Sequence, residues 1–229
     1  MSSFIELQQR AGLSFRNDSF LRRALTHRSY LNEHLEETED NERLEFLGDA
    51  VLDFLIAAML YHRFPEMQEG PLTRLRSSLV RAEQLAAFAR QIGLGPHIRL
   101  GKGEDEAGGR DRDVLLGDTF EAILGGLYLD SGLEAVKEFV ERLFLPAAIG
   151  IVHEQKDIDA KSRFQEWAQA ELNFTPQYVT VSAEGPDHDK TFVVEVRVND
   201  QTYGVGTGRS KQSAAREAAL EALKKVGAI

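Results

Sequence analysis

Through the first 148 residues, apolar side chains recur every three or four positions, the rhythm of helices with one buried face. The pattern predicts helices over residues 4–11, 18–26, 42–63, 71–92, 112–131 and 132–144. Breaks fall at Pro65, at Gly70–Pro71, at Gly93, Gly95 and Pro96, and across Gly101, Gly103, Gly108 and Gly109. No alternation of the kind strands require precedes residue 175. After it the period changes: Phe192, Val194, Val196 and Val198 alternate with Val193, Glu195 and Arg197, a strand over 191–198. Residues 177–182 and 202–207 supply two more strands. A helix over 160–172 with the only tryptophan, Trp167, precedes them, and an alanine-rich helix over 210–226 follows. The order α-β-β-β-α predicts a three-stranded antiparallel sheet with both helices on one face. The expected fold class is therefore multidomain: an all-α domain over residues 1–148, a linker at 149–156, and an α+β domain over 157–229. The linker is not Gly/Ser-rich, which points to a short tether.

One helix departs from the amphipathic rule. Residues 41–54 read NERLEFLGDAVLDF, placing Glu42, Glu45 and Asp49 at i, i+3 and i+7 on one face. Leu44, Phe46, Leu47, Ala50, Val51, Leu52 and Phe54 crowd round them, so the helix is close to apolar on every side and reads as buried. Further on, GDTFEAILGG repeats the device with Asp118 and Glu121 at i and i+3. A single acidic row is ordinarily a solvated helix face. Two rows inside apolar patterns are different, because buried carboxylates are rarely left unpaired. A divalent cation offsets their repulsion. The chain has no cysteine and no clustered histidines, so the ligands are oxygens, which favour Mg²⁺ or Mn²⁺ over zinc. Converging carboxylates holding such ions are the usual apparatus for in-line phosphodiester cleavage. Asn41 stands where the acidic helix needs an N-cap. Gly48 and Gly125–Gly126 are suited to close helix approach.

The stretch over residues 41–52 resembles the signature of bacterial ribonuclease III, the endonuclease specific for double-stranded RNA. The resemblance extends to ALTHRSYLNE at 24–33, to residues 65–70 and 72–80, and to LGKGEDEAGGRDRD at 100–113, which leads into Asp118 and Glu121. The C-terminal part is similar to that family's double-stranded RNA-binding domain. The resemblance implies a homodimeric, Mg²⁺-dependent enzyme, with Mn²⁺ a possible substitute. Each subunit would cut one strand, leaving 5′-phosphate and 3′-hydroxyl ends with a short 3′ overhang. Ribosomal RNA precursors and structured messenger RNA are the implied substrates. Among the metal ligands Glu45, Asp49, Asp118 and Glu121, the resemblance makes Asp49 and Glu121 the catalytic pair that holds the ions directly. Glu45 and Asp118 complete the shell, and Glu42 and Glu69 form a secondary acidic pair. Phe46 is placed at the dimer contact. In the C-terminal domain, Gln165, Glu166, His188 and Lys211 are implied to touch RNA. His27 and Tyr30 fall inside a family motif, although a lone histidine there is more often a satisfied core residue.

Departures from the family are visible. Gly117 replaces the usual alanine before Asp118, a loss of under ~1 kcal/mol at a helix start. Gln212 and Ala215 follow Lys211 where lysines are typical, and Asp189 follows His188. Weak RNA affinity is therefore expected of the C-terminal domain alone, with dimer avidity supplying much of the grip.

Charge qualifies this picture. The net charge of −10 argues against a polyanion partner taken at face value. Residues 1–155 carry 17 Lys and Arg against 26 Asp and Glu, whereas residues 156–229 carry 10 against 11. The acidity therefore gathers in the half with the proposed metal site, where bound ions reverse part of it. No run of apolar residues is long enough to span a membrane, and the first ten residues lack a secretory pattern. A cytoplasmic protein is expected. The G-x-S-x-G, H-E-x-x-H and G-x-x-x-x-G-K-[ST] patterns are absent, and the glycine-rich 101–109 stretch reads as a mobile loop, its Lys102 and the adjoining Arg110 and Arg112 being expected to approach RNA phosphates. Two rivals remain: a duplex-RNA-binding protein on an inactive nuclease fold, and an acidic helical scaffold for a protein partner.

Overall fold

The computed structural model describes residues 2–186 and 190–228. The chain divides into two compact units, the first ending at Ile149 and the second beginning at Gly150. The first unit is helical: α1 (Ser2–Ala11), α2 (Asp18–Ala24), α3 (Arg28–Leu31), α4 (Glu42–Arg63), α5 (Glu69–Val80), α6 (Ala82–Gln91), α7 (Lys102–Glu106), α8 (Asp113–Ser131) and the start of α9 (Leu133–Leu172). Helix α8 is apolar almost all round, and eleven of its residues from Leu115 to Leu127 are buried. It is therefore the centre of the unit, with α2, α4 and α6 packed against it. Phe120 on α8 meets Phe88, Phe139 and Phe144 at ring-centroid distances of 6.3, 5.9 and 6.2 Å.

The crossing of α4 and α8 depends on two glycines. A Cβ on Gly48 would lie 1.8 Å from the carbonyl oxygen of Glu121, and one on Gly125 would lie 2.1 Å from that of Leu44. No side chain fits at either point, so the backbones touch, and the acids flanking those glycines are carried to the same crossing.

Three details differ from the sequence-based expectation. The helix expected over 71–92 is two helices, because Arg81 is extended (φ −66°, ψ 150°) and its carbonyl starts α6 by accepting from Gln84 and Leu85. No glycine or proline marks that break. The 101–109 stretch is not an open loop. It folds into α7 and a 3₁₀ turn (Gly109–Asp111), with Arg110 on Asp105 at 2.6 Å and Arg112 on Glu104 at 2.7 Å. Both arginines are thus engaged within the protein. The tether expected at 149–156 is helical, since α9 continues through it with Pro146 inside.

The second unit comprises the end of α9, then β1 (Gln177–Glu184), β2 (Thr191–Val198), β3 (Gln201–Gly208) and α10 (Lys211–Lys225). The sheet is antiparallel in the order β1-β2-β3. Val198 pairs with Gln201, leaving Asn199 and Asp200 at φ 47° and 62° as the two-residue turn that suits a twisted hairpin. Val194, Val196 and Val198 are buried beneath the helices, in the alternation the sequence shows. Phe164, Ala168, Ala218, Ala222 and Leu223 complete that core. Helix α10 lies close to β3 because Gly206 has no side chain: a Cβ there would lie 2.1 Å from the Ala214 carbonyl oxygen. Ser210 caps α10 in a reciprocal box with Ser213.

Candidate active site

Helix α4 offers its acids from one side of the crossing and α8 from the other. Carboxylate oxygens of Glu45, Asp118 and Glu121 come within 4.8 Å of one another. Asp118 and Glu121 share a face of α8 because they are three residues apart, and the close Gly48 contact brings Glu45 opposite them. Among the described residues, no lysine or arginine is close enough to pair with any of the three. Such a group carries its own electrostatic signature. Burial, joined by the charges of Asp49, Asp118 and Glu45, pushes the Glu121 carboxyl up to about 8. Burial, Asp118 and Glu42 raise that of Glu45. Asp118 is raised by burial while His27 acts against the shift. Three half-buried carboxylates with oxygen donors only and no protein cation fit a hard divalent ion.

Asp49 stands differently. It is exposed on α4, and its charge is the foremost influence on Glu121 after burial, yet its carboxylate lies outside the three-acid cluster. Asp53, one turn further along α4, also adds to the field at Glu121. Asn41 occupies the N-cap position of α4, but its side chain makes no capping bond. It is 3% exposed, and Asp40 Oδ1 instead accepts the Glu42 N–H at 3.2 Å.

Beside the cluster opens a cleft of 620 Å³ whose walls include His27, Arg28, Glu42, Glu45, Arg112 and Asp118. Glu42 belongs to this cleft, where Arg28 approaches it at 3.4 Å. Glu69 does not: it lies at the start of α5 and lines a separate groove with Tyr61, Met67 and Arg76. The secondary acidic pair is thus divided within one chain. Arg28 was not singled out by sequence reasoning. The motif around it was visible, but its closeness to Glu42, fourteen residues away, depends on how α3 meets α4.

Phe46 projects from α4 and is 80% exposed, with Phe54 at 59% and Tyr61 at 69% further along. Ordinary core packing is thereby excluded for Phe46. In the second unit Gln165, Glu166 and Lys211 are exposed, the last at the start of α10. His188 lies outside the described residues. No helix among them is long and apolar enough to cross a membrane.

Residues 17–148 match the family model described as Ribonuclease-III-like, and residues 160–226 match the double-stranded RNA binding motif. Relatives include ribonuclease 3 of Roseiflexus sp. (strain RS-1), 45% identical over 95% of this chain and 93% of that one. Ribonuclease 3 of Listeria monocytogenes is 41% identical over 99% of each. Among solved structures, the nuclease domain of ribonuclease III from Campylobacter jejuni superposes with a TM-score of 0.58 at 37% identity, covering 62% of this chain and 94% of that domain. A second structure of the same domain (TM-score 0.55, 36% identity, 61% of this chain and 96% of that one) is described as flexible in a region involved in dimer formation.

Proposed function

The chain belongs to the ribonuclease III family, and from that premise we propose that it is a homodimeric, Mg²⁺-dependent endoribonuclease that cleaves double-stranded RNA. The observation that carries this reading is the Glu45–Asp118–Glu121 cluster at the glycine-built crossing, open to a cleft and with no lysine or arginine among the described residues paired to it. Glu45, Asp118 and Glu121 would hold the divalent ion, and Asp49 would join them from the same face of α4. Such an ion would supply an activated water for attack on the phosphodiester and charge stabilisation for the departing 3′ oxygen. The protein's own part is to keep these acids convergent and to seat the duplex beside them, so that no side chain acts as a covalent nucleophile. Products would carry 5′-phosphates and 3′-hydroxyls with a short 3′ overhang.

Gln165, Glu166, His188 and Lys211 are proposed to contact the duplex, whose A-form shape and 2′-hydroxyls are read mainly from the minor groove. The exposed Phe46, with Phe54 and Tyr61 further along α4, supports dimerisation, since large aromatics are typical interface anchors. Ribosomal RNA precursors and structured messenger RNA in the cytoplasm are the proposed substrates.

Incubation with a long, fully paired RNA tests the reading. Mg²⁺ should yield short duplexes with 5′-phosphates, while EDTA or Glu121→Gln should yield none. RNA retained uncut by the wild type, yet shifted on a native gel, would favour the binding-only alternative.

A further inference from the structure

His27 forms part of the cleft wall, and its two ring nitrogens differ in what they meet. The backbone N–H of Ser29 donates to Nδ1 at 3.2 Å, so that His27 caps α3. A backbone N–H can only donate, so Nδ1 must carry the lone pair, and the proton of the neutral ring sits on Nε2. The Ser29 hydroxyl, 2.8 Å from Nδ1, then donates to it while accepting from the Gly101 N–H at 3.0 Å. Glycine is required there, since a Cβ on Gly101 would lie 2.6 Å from the Ser29 carbonyl oxygen. The main chain of His27 is also held, its N–H donating to the Arg99 carbonyl at 3.1 Å. One edge of the ring is thus fastened by α3 and by the start of α7. The Nε2–H has no hydrogen-bond partner among the described residues, and the ring shares the cleft wall with Glu45 and Asp118.

Capping alone does not call for histidine, because Asn, Asp and Ser serve an N-cap better. What histidine adds is a second nitrogen, held in a fixed tautomer at the mouth of the acidic cluster. Burial, chiefly, lowers the pKa of the ring, which favours its uncharged form. An uncharged donor contributes little to long-range attraction of a polyanion, but it marks the place of one oxygen.

Building on the reading of the chain as a duplex-RNA nuclease, we propose that His27 is a substrate-positioning residue. Its Nε2–H donates to a sugar–phosphate oxygen of the strand being cut, next to Glu45 and Asp118. The acceptor is either a 2′-hydroxyl or a non-bridging phosphate oxygen, which share this chemistry.

Two substitutions in the full chain separate the donor from the cap. In His27→Asn the amide oxygen replaces Nδ1 and keeps the cap but nothing reaches the Nε2 position. In His27→Gln the amide nitrogen reaches the Nε2 position while the cap is weakened. With saturating Mg²⁺ and a short defined duplex, His27→Asn should melt with the wild type, yet lose about tenfold in single-turnover cleavage rate, the worth of one well-placed hydrogen bond. His27→Gln should recover part of that rate despite melting at a lower temperature. Single 2′-deoxy substitutions beside the cut identify the acceptor. If it is the hydroxyl, the wild type loses the same factor on that substrate and His27→Asn loses nothing more; if it is the phosphate, the losses multiply.

Wild-type rate in His27→Asn would overturn the inference, as would rates that simply follow melting temperature across the two variants. Full recovery of His27→Asn at Mg²⁺ concentrations above those that saturate the wild type would also overturn it, assigning the ring to holding Asp118 for the ion. A wild type that does not cut paired RNA at all would overturn the nuclease reading itself.

Discussion

Glu121 is the residue at which the conflict between folding and function is sharpest. It sits half-buried among Asp49, Asp118 and Glu45, and its carboxyl is held at about 8 against 4.5 for an ordinary glutamate. A raised carboxyl pKa means the folded protein binds its proton more tightly than the unfolded chain. The associated stability is fully present below pH ~4.5 and is lost as pH rises through about 8. Without divalent ions, the helical unit should therefore melt at a lower temperature at pH 8.5 than at pH 5. Glu121→Gln should flatten that dependence and raise the melting temperature at the higher pH. Mg²⁺ should restore the wild type at pH 8.5 and do little for the variant, because an ion that binds only the folded state stabilises it. A thermal melt series in EDTA and in Mg²⁺ reads both effects. Equal pH dependence in the two proteins would remove Glu121 as its source.

At the scale of elements, the α4–α8 crossing is a backbone-to-backbone contact, and three glycines on the two helices differ sharply in what they tolerate. A Cβ at Gly48 or Gly125 would meet carbonyl oxygens at 1.8 or 2.1 Å, whereas one at Gly117 would find its nearest neighbours at 3.6 Å. Gly48→Ala and Gly125→Ala should each destabilise the unit by about 3 kcal/mol or more, the upper range for overpacking. They should also abolish cleavage, because forcing the helices apart separates Glu45 from Glu121. Gly117→Ala should instead stabilise α8 by up to ~1 kcal/mol with the acids undisturbed. Denaturant titration with a cleavage assay distinguishes the pair from the third. The glycines at the crossing were legible as places of close approach because each lies among acids and apolar residues, but which atom each one meets was not. The break at Arg81 was illegible for a similar reason: no local residue requires it, and the packing of α5 and α6 decides it.

For the whole molecule, the exposed apolar stripe on α4 bears on assembly. If Phe46 anchors a dimer, Phe46→Ala should weaken self-association by about 2 kcal/mol, roughly thirtyfold in Kd, measurable by analytical ultracentrifugation. An unchanged dimer would place the contact elsewhere. The second unit has a core of its own around Phe164, Val196 and Ala218. Its acidic–basic balance is near neutral, and Lys211 is followed by Gln212 rather than lysine. Residues 156–229 alone should therefore bind duplex RNA weakly, with a shallow salt dependence from few phosphate contacts. Nanomolar affinity at physiological salt would contradict that.

The sequence by itself determined the elements and their chemistry: helices where apolar residues recur at 3.6, strands where valines alternate, and two acidic rows whose spacing puts each on one helix face. These are local properties, set by the geometry of a helix or a strand a few residues long. Tertiary structure decided which of those acids meet. Glu45, Asp118 and Glu121 converge because Gly48 and Gly125 let two backbones touch, while Asp49 stands outside the cluster and Glu69 lines another groove. It also decided that the 101–109 stretch is pinned by Arg110 and Arg112, and that His27 turns one nitrogen to Ser29 and leaves the other without a partner among the described residues. Contacts between residues distant in sequence depend on how helices cross, and a crossing is settled only when every face of the core is packed at once.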